Sequence, residues 1–266
     1  MSGNGNGNGN GNRTTTLAGS LAFWLAFVPL LPQALWVRRR ARRFDGAPGP
    51  RSGSVGQGET LKLVGLGDSI IAGVGCTSLE RAMIGATATA LAARTAGRIE
   101  WHAHGRSGLH TDAIRRRLLP DAELNDADFV LVSTGVNDVT RLNSPTAFEQ
   151  ELGNLLATIE QRAPRAFIAI NGVPPMQCFP ALPTPLNRAL GLRARQLDRV
   201  LENVSTRYQR VVRVPLPADL APEKFAPDGY HPSEASCSEL ADVIAEALLA
   251  LKRPLSPPAP ACAGRA

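Results

Sequence analysis

The chain has 266 residues, enough for one large domain or two small ones with a buried core. Hydrophobic residues make up 44% of it and charged residues 20%, which is typical of a globular protein. Aromatic residues make up only 5%, which argues against a nucleic-acid surface built from basic residues and stacking rings. Of the formal net charge of +6, most comes from one arginine cluster within residues 38–43, so the rest of the chain is close to neutral.

The first 60 residues are predicted to precede the folded domain. Residues 1–16 are rich in Gly and Asn and are expected to be disordered. Residues 17–37 carry no charged side chain, and the arginine cluster follows them directly. Residues 45–60 are rich in Gly, Pro and Ser, so we predict a linker there.

The apolar segment and its arginine flank, residues 17–44, are predicted to associate with a membrane, in one of three forms. A spanning helix matches the roughly 20 residues that a bilayer requires, and the arginines would then face the cytoplasm. A helix lying flat at the interface accommodates Pro29 and Pro32, which weaken a straight rod. A cleaved secretory signal is disfavoured because the arginines follow the apolar run. We therefore expect a membrane-associated protein with a cytoplasmic domain; export to the periplasm is the alternative.

From residue 61 onward, short apolar runs alternate with helical patterns. The predicted strands are 61–66, 99–103, 128–133, 167–171 and 211–214. The predicted helices are 79–95, 111–119, 145–162, 186–208 and 233–251. Five strands that alternate with helices predict a three-layer α/β/α domain over residues 61–251, with a five-stranded parallel sheet covered on both faces. Residues 252–266 are rich in Pro and are expected to form a loose tail.

The first predicted strand ends in a short polar turn, Gly67-Asp68-Ser69. A dinucleotide-binding loop does not fit, because Ile70 occupies the position of its third glycine. A nucleoside-triphosphatase phosphate loop does not fit either, because no Lys followed by Ser or Thr comes after the glycines. A nucleophile elbow requires glycine two residues after the serine, where this chain has Ile71. The chemistry of Ser69 therefore depends on partners from elsewhere in the chain.

Three further predicted strands are followed by polar motifs that include residue types able to act with Ser69. The second strand is followed by HGRSGLHTD (104–112), the third by STGVND (133–138) and the fifth by APDGYHPSE (226–234). The last motif places Asp228 and His231 three positions apart, just before a helix. Because ligands bind at the carboxyl ends of the strands in such sheets, we expect these motifs to meet near Ser69.

These motifs resemble the sequence blocks of the SGNH/GDSL hydrolase family, over about residues 61–251. The first block matches at residues 67–69, with Ile70 in place of the family's Leu. The Gly-x-Asn-Asp block matches at residues 135–138, and the Asp-x-x-His block matches at residues 228–231. The second block is weaker: its glycine best matches Gly108, with Gly105 as the runner-up, and Ala103 or His104 stands where the family has Asn.

The resemblance implies a flavodoxin-like SGNH hydrolase fold with a serine nucleophile. Ser69 would attack the substrate, His231 would take its proton, and Asp228 would orient the imidazole ring. The oxyanion of the tetrahedral intermediate would accept hydrogen bonds from the backbone N–H groups of Ser69 and Gly108 and from the side-chain amide of Asn137.

We therefore expect a hydrolase of carboxylic (acyl) esters that works through an acyl-enzyme on Ser69, without a metal or an organic cofactor. Lipid or lysophospholipid substrates would suit a protein that contacts a membrane surface through residues 17–43. No nucleic-acid partner is expected. Two alternatives remain open: a carbohydrate O-acetyl esterase or acyltransferase, and a non-catalytic, membrane-tethered binding module with the same fold.

Other polar and apolar features have structural interpretations. Asp68 and Asp138 are expected to hold loops by accepting backbone N–H bonds. His102 and His104 alternate onto one face of a strand, but no carboxylate or Cys nearby completes a metal site. The apolar, Pro-rich loop 173–186 is either an ordinary packed loop or a wall for an acyl chain. The four cysteines are scattered and are expected to be reduced thiols.

Overall fold

The computed structural model describes residues 27–40 and 45–252, without the side chains of residues 38–40. One six-stranded sheet lies at its centre, with the strand order β1-β3-β2-β4-β5-β6. The strands are β1 (Ser52–Val55), β2 (Thr60–Gly67), β3 (Arg98–Gly105), β4 (Phe129–Ser133), β5 (Phe167–Asn171) and β6 (Val211–Val214). The α-helices are α1 (Leu31–Arg40), α2 (Met83–Thr95), α3 (Thr111–Arg117), α4 (Val136–Thr140), α5 (Pro145–Arg162), α6 (Leu186–Ser205) and α7 (Glu234–Lys252).

The predicted three-layer α/β fold is confirmed, with one more strand than expected. Strands β2 to β6 pair in parallel, as predicted. Strand β1 pairs antiparallel with β3 at the sheet edge, inside the range predicted to be a linker. The linker prediction was wrong here because Gly53 lies opposite Trp101, and a Cβ at Gly53 would lie 2.6 Å from the indole ring. The small residues that suggested a linker are the ones that let a strand cover a large buried ring.

Helices cover both faces of the sheet. Along β4, Val130 and Val132 belong to one hydrophobic cluster, while Phe129 and Leu131 belong to the other. Helices α3, α5 and α6 pack on the first face, and α2 and α7 pack on the second. Burial on both faces explains why the parallel strands appear in the sequence as continuous apolar runs.

The described part of the predicted membrane segment consists of two short helices. A 3-10 helix, Val28–Leu30, leads into α1. Phe27 is buried in the core, and Leu30, Ala34 and Val37 pack against the same cluster. Four apolar side chains of this segment are exposed instead: Val28, Leu31, Leu35 and Trp36. The segment therefore divides its apolar residues between the protein core and the surface.

No helix within residues 27–40 and 45–252 is long and apolar enough to cross a membrane. The predicted membrane segment extends over residues 17–44, of which 17–26 and 41–44 lie outside the described residues. The predicted arm 1–16 and most of the predicted tail, from residue 253 onward, also lie outside them.

Candidate active site

Three parallel strands end side by side at the candidate site. In the register of the sheet, Gly67 is paired with Gly105 of β3 and with Ser133 of β4. A Cβ at Gly67 would overlap the carbonyl oxygen of Ser133, so only glycine fits at this strand end. The backbone then continues the contact, because the Asp68 N–H donates to the Ser133 carbonyl at 3.2 Å. Ser69 therefore follows a strand end that is held from both sides.

Residues 68–77 form a compact series of turns after β2 rather than a helix. The Ala72 N–H donates to the Asp68 carbonyl at 3.1 Å, and the Val74 N–H donates to the Ser69 carbonyl at 2.9 Å. Gly73 and Gly75 have positive φ angles of 73° and 90°, which other residues rarely adopt. These turns hold Ser69 in a largely buried position, with 8% of its surface exposed.

Asp68, next to Ser69, is a buried carboxyl group that bridges two loops. Its Oδ1 accepts hydrogen bonds from the Ile70 N–H at 3.1 Å and from the Ser133 hydroxyl at 3.0 Å. Burial raises the pKa of Asp68 to about 6, against the lowering effect of these two bonds, and the nearby Asp138 adds to the rise. Asp68 thus holds the turn after β2 against the end of β4.

Asp138 has the same function one strand further along. Its Oδ2 accepts from the Thr111 N–H at 3.1 Å and from the Thr111 hydroxyl at 2.9 Å, and its Oδ1 accepts from the Asn143 amide at 2.8 Å. Burial raises the pKa of Asp138 despite these bonds. Asp138 therefore ties the start of α3, after β3, to α4, which follows β4.

Asp228 and His231 form a close pair in the loop before α7. The His231 Nδ1 lies 2.7 Å from the Asp228 Oδ2. The Asp228 Oδ1 accepts from the Tyr230 N–H at 2.8 Å and from the His231 N–H at 3.0 Å. Burial opposes ionisation of Asp228, but the hydrogen bonds from His231 and Tyr230 outweigh it and hold the pKa of Asp228 below its ordinary value. The carboxylate fixes the orientation of an imidazole that is itself buried.

Asn137 lies against the loop that contains Gly108. Its amide Nδ2 donates to the Leu109 carbonyl at 2.9 Å. Gly108 has a φ of 81° and is exposed, with open space where a Cβ would lie. Gly105 is buried, and a Cβ there would overlap the backbone of Ala72. Gly105 therefore allows the turns after Ser69 to pack on β3, whereas the backbone of Gly108 remains accessible.

Ser69 and His231 line the same cavity, which has a volume of about 760 Å³. A nucleophile and the base that activates it must both reach one bound substrate, and a shared cavity provides that geometry. Of the five predicted site residues, Asn137, Asp228 and His231 are held by hydrogen bonds, Ser69 is placed by its turn, and Gly108 lies in the loop that Asn137 contacts.

The walls of this cavity differ from the sequence-based expectation. Of the loop 173–186, only Pro174 and Phe179 line it. Most of that loop's apolar side chains, such as Met176 and Leu182, are buried in the core, so the packed-loop interpretation describes it better. The larger wall comes from residues 215–221 after β6 and from one face of α7. The apolar, Pro-rich run PLPADLA at 215–221 was the signal that sequence reasoning missed.

The part of the chain that the structure describes contains no group of three or more His, Cys, Asp or Glu residues able to hold a metal ion. His102 and His104 lie on β3, with both side chains partly exposed. Burial lowers the pKa of His104, and His102 lowers it further.

The family model described as GDSL-like Lipase/Acylhydrolase matches residues 66–236. The chain belongs to the GDSL-like lipase/acylhydrolase family. The resemblance seen in its sequence blocks is thereby confirmed, and members of this family hydrolyse ester bonds. The GDSL-like esterase Rv1075c of Mycobacterium tuberculosis is 28% identical over 198 residues, which cover 71% of this chain and 62% of that protein.

Solved structures of two lipases and a carbohydrate esterase share the fold. The extracellular lipase from Streptomyces rimosus has a TM-score of 0.53 and 19% identity, covering 70% of this chain and 99% of its own. The lipase/acylhydrolase from Enterococcus faecalis also has a TM-score of 0.53 and 19% identity, covering 70% and 94%. The family 3 carbohydrate esterase of Clostridium thermocellum has a TM-score of 0.55 and 18% identity, covering 73% and 98%. At these identities the likeness concerns the fold alone.

The raised pKa of Asp68 predicts that the folding stability of this GDSL-family protein falls as the pH rises. The folded state favours the protonated carboxyl, so stability from this group is full below the ordinary pKa of 3.8 and is lost as the pH rises through about 6. Asp68→Asn keeps an acceptor oxygen and cannot ionise. Between pH 4 and pH 7, the free energy of unfolding of the parent should fall relative to Asp68→Asn by roughly 2 kcal/mol.

Urea denaturation of both proteins at several pH values measures this difference. Asp121→Asn, which changes an exposed carboxylate, is the matched control and should follow the parent at every pH. A parent and an Asp68→Asn variant whose stabilities change in parallel with pH would contradict the prediction.

Proposed function

We propose that the protein is a serine ester hydrolase that cleaves carboxylic esters through an acyl-enzyme on Ser69. The observation that carries the proposal is the 2.7 Å Asp228–His231 pair, whose imidazole lines the same cavity as Ser69. Membership of the GDSL-like family supports the reaction class. The chain spans 62% of the length of its curated relative, and that relative's esterase name supports the same class.

The proposed chemistry begins with proton transfer from Ser69 to His231. With Nδ1 bonded to Asp228, Nε2 is the ring nitrogen that takes the hydroxyl proton. Ser69 Oγ then forms a bond to the carbonyl carbon of the ester, and the carbonyl π electrons move onto its oxygen. The depressed pKa of Asp228 supports its part, because a carboxylate that stays ionised stabilises the imidazolium.

The tetrahedral intermediate collapses with loss of the alcohol, which receives the proton from His231. A water molecule then repeats the sequence on the acyl-enzyme: His231 takes its proton, the hydroxide oxygen bonds to the acyl carbon, and Ser69 leaves with the proton returned. The net reaction converts ester and water to carboxylic acid and alcohol, and no redox partner or metal takes part in it.

Three hydrogen-bond donors are proposed to stabilise the oxyanion. The side-chain amide of Asn137 has two N–H bonds, and one of them is used by the Leu109 carbonyl. The second is available to a substrate oxygen. The backbone N–H groups of Ser69 and Gly108 donate to no acceptor within the described residues. Ser69 lines the cavity, and unpaired donors near the reacting carbonyl are what a developing negative charge requires.

Fluorophosphonate labelling and ester hydrolysis test this proposal together. Ser69→Ala should lose covalent labelling and should lower kcat for a p-nitrophenyl ester by about 10³-fold or more. Asp228→Asn should still be labelled, but more slowly than the parent. Its kcat should be about 10²-fold to 10⁴-fold lower, because the imidazole loses its orienting carboxylate. Intact-mass analysis and initial rates are the two measurements.

Ser238→Ala, which changes an exposed serine on α7, is the control and should label and turn over like the parent. Equal turnover by the parent and Ser69→Ala would overturn the proposal and favour the non-catalytic binding module. Turnover confined to acetylated sugars would favour the carbohydrate O-acetyl esterase.

We further propose that the protein acts at a lipid surface and that its substrates are acyl lipids such as lysophospholipids. Support comes from the segment 28–36, whose exposed apolar side chains include Leu31 and Leu35, and from the arginine cluster at 38–43 that follows. Exposed apolar residues beside a basic cluster are typical of a segment that lies at an anionic membrane interface. No spanning helix is part of this proposal.

Vesicle co-sedimentation tests the surface proposal. The parent should bind phosphatidylglycerol vesicles more than phosphatidylcholine vesicles, and added salt should weaken the binding. The double variant Leu31→Asp, Leu35→Asp should bind about tenfold less, because two apolar side chains no longer enter the interface. Ala93→Asp on an exposed position of α2 is the control. A parent that stays in the supernatant with both lipids would refute the proposal.

A further inference from the structure

The cavity beside Ser69 is bounded along one side by a single face of α7. Four residues of this helix line it, at positions 236, 239, 240 and 243, which is the spacing of one helical stripe. The helix begins just after His231, so the stripe leads away from the reactive end of the cavity. From Ser236 to Val243 the helix advances about 10 Å, given a rise of about 1.5 Å per residue.

A second part of the cavity wall is formed by residues 215–221, which we call the strap. Pro215, Leu216, Pro217 and Leu220 all line the cavity. The strap continues into the 3-10 helix Pro222–Lys224, whose last residue is bound to α7. Lys224 Nζ donates to both carboxylate oxygens of Glu239 at 2.6 and 2.7 Å, and the Ser236 hydroxyl donates to the Lys224 carbonyl at 2.7 Å.

These bonds pair polar groups of the cavity lining with each other, so that they do not compete for the substrate. Glu239 and Ser236 are the polar members of the α7 stripe, and both are bonded to Lys224. The remaining members, Leu240 and Val243, present hydrocarbon to the cavity together with the prolines and leucines of the strap, whose charged residue Asp219 also lines it. A pocket with a reactive polar end and an apolar remainder suits a substrate with the same division, such as an acyl ester.

We propose that the acyl chain of the substrate lies between the strap and α7, with Leu240 and Val243 at its far end, and that the protein prefers medium-chain acyl groups of about eight carbons. This inference rests on the proposed ester hydrolysis. An extended chain advances about 1.3 Å per carbon, since C–C bonds are about 1.5 Å long, so about 10 Å of wall accommodates about eight carbons. Up to that length, each methylene should raise kcat/KM by about fourfold.

Substitutions at Val243 test the length limit in both directions. Val243 is 44% exposed, so larger and smaller side chains are compatible with folding. Val243→Trp should lower the ratio of kcat/KM for p-nitrophenyl octanoate to that for the butyrate by at least tenfold. Val243→Ala should move the preferred chain length upward by one or two carbons. Leu192→Trp, at an exposed Leu outside the cavity lining, is the matched control and should keep the parent ratio.

The outcomes separate this inference from the proposed function. If the parent hydrolyses both esters in a Ser69-dependent way and Val243→Trp keeps the parent ratio, the acyl-chain assignment is overturned while the ester hydrolase stands. If the parent hydrolyses neither ester and takes up no fluorophosphonate, both fail. A fall in the ratio that Leu192→Trp does not share supports the assignment.

A second, independent observation concerns two thiols that lie close together. Cys76 lies near the end of the turns that carry Ser69 and is half-buried, and Cys237 is buried in the first turn of α7. Their Sγ atoms are 4.0 Å apart, although the residues are 161 positions apart in the chain. The neighbouring Cys237 thiol lowers the pKa of Cys76, which favours the reactive thiolate on the more accessible of the two.

We infer that Cys76 and Cys237 form a peroxide-responsive disulfide that joins the Ser69 turns to α7. The Cys76 thiolate attacks one oxygen of hydrogen peroxide, forming a sulfenic acid and releasing hydroxide. The neighbouring Cys76 and burial raise the pKa of the Cys237 thiol, so it attacks the Cys76 sulfur as its proton passes to the departing hydroxide. Water leaves, two thiols are oxidised to the disulfide, and peroxide is reduced. The sulfur atoms must approach from 4.0 Å to about 2.05 Å, a small movement for a turn that carries two glycines.

Peroxide treatment of the full chain, followed by non-reducing peptide mapping, tests the pairing. A cross-link between the Cys76 and Cys237 peptides should appear, and the melting temperature should rise by about 5–10 °C because a long loop is closed in the unfolded chain. Cys76→Ser should remove both effects, and Cys178→Ser, the control, should remove neither. Cross-links through other cysteines, or none with this pair, would overturn the inference.

Discussion

The close approach of three strand ends around Gly67 is the constraint on which the site depends. At Gly67 and again at Gly105, a Cβ would overlap backbone of a neighbouring segment. Without side chains at these two points, the turns that carry Ser69 pack directly between β3 and β4. The position of the serine is therefore determined by main-chain contacts, which are more rigid than side-chain contacts because they belong to the sheet itself.

Buried carboxyl groups join the segments that follow the strand ends, and their burial lowers the stability of the fold when they ionise. Asp68 bridges the turn after β2 and the end of β4, and Asp138 bridges the start of α3 and the short helix α4. Both have raised pKa values because burial opposes their ionisation. Asp228 differs, since it is less enclosed and is surrounded by donors that favour its charge. The carboxyl groups that hold the loops thus lie in an environment unlike that of the carboxylate that orients His231.

The elements that could be predicted from the sequence are those whose signal is local. The 18 residues of α5 carry a Ser cap, a Pro in the first turn and a periodic apolar face, and its bounds agree with the prediction. Strand β5 was equally clear as a continuous apolar run. Strand β1 was not, because its Gly-rich sequence becomes a strand only when the Trp101 ring is present to be covered.

The apolar walls of the cavity were harder to predict for a related reason. The loop 173–186 and the strap 215–221 are both Pro-rich and apolar, and nothing local distinguishes a loop that packs inward from one that borders a cavity. Tertiary packing directs Met176 and Leu182 into the core and leaves Leu216 and Leu220 at the cavity. The amphipathic pattern of α7 likewise shows that one face is apolar, but not that its face at 236–243 borders a space.

By itself, the sequence determined the alternation of strands and helices and the spacing of the motifs that end the strands, because both follow from local periodicity and from chain order. The pairing of Asp228 with His231 could also be predicted from the sequence, because the two residues are only three positions apart. Only the tertiary structure decided which glycine packs and which remains accessible, where the apolar cavity lies, and that Cys76 meets Cys237. Those features arise between segments far apart in the chain, where the sheet register and the packing of α7 set the distances.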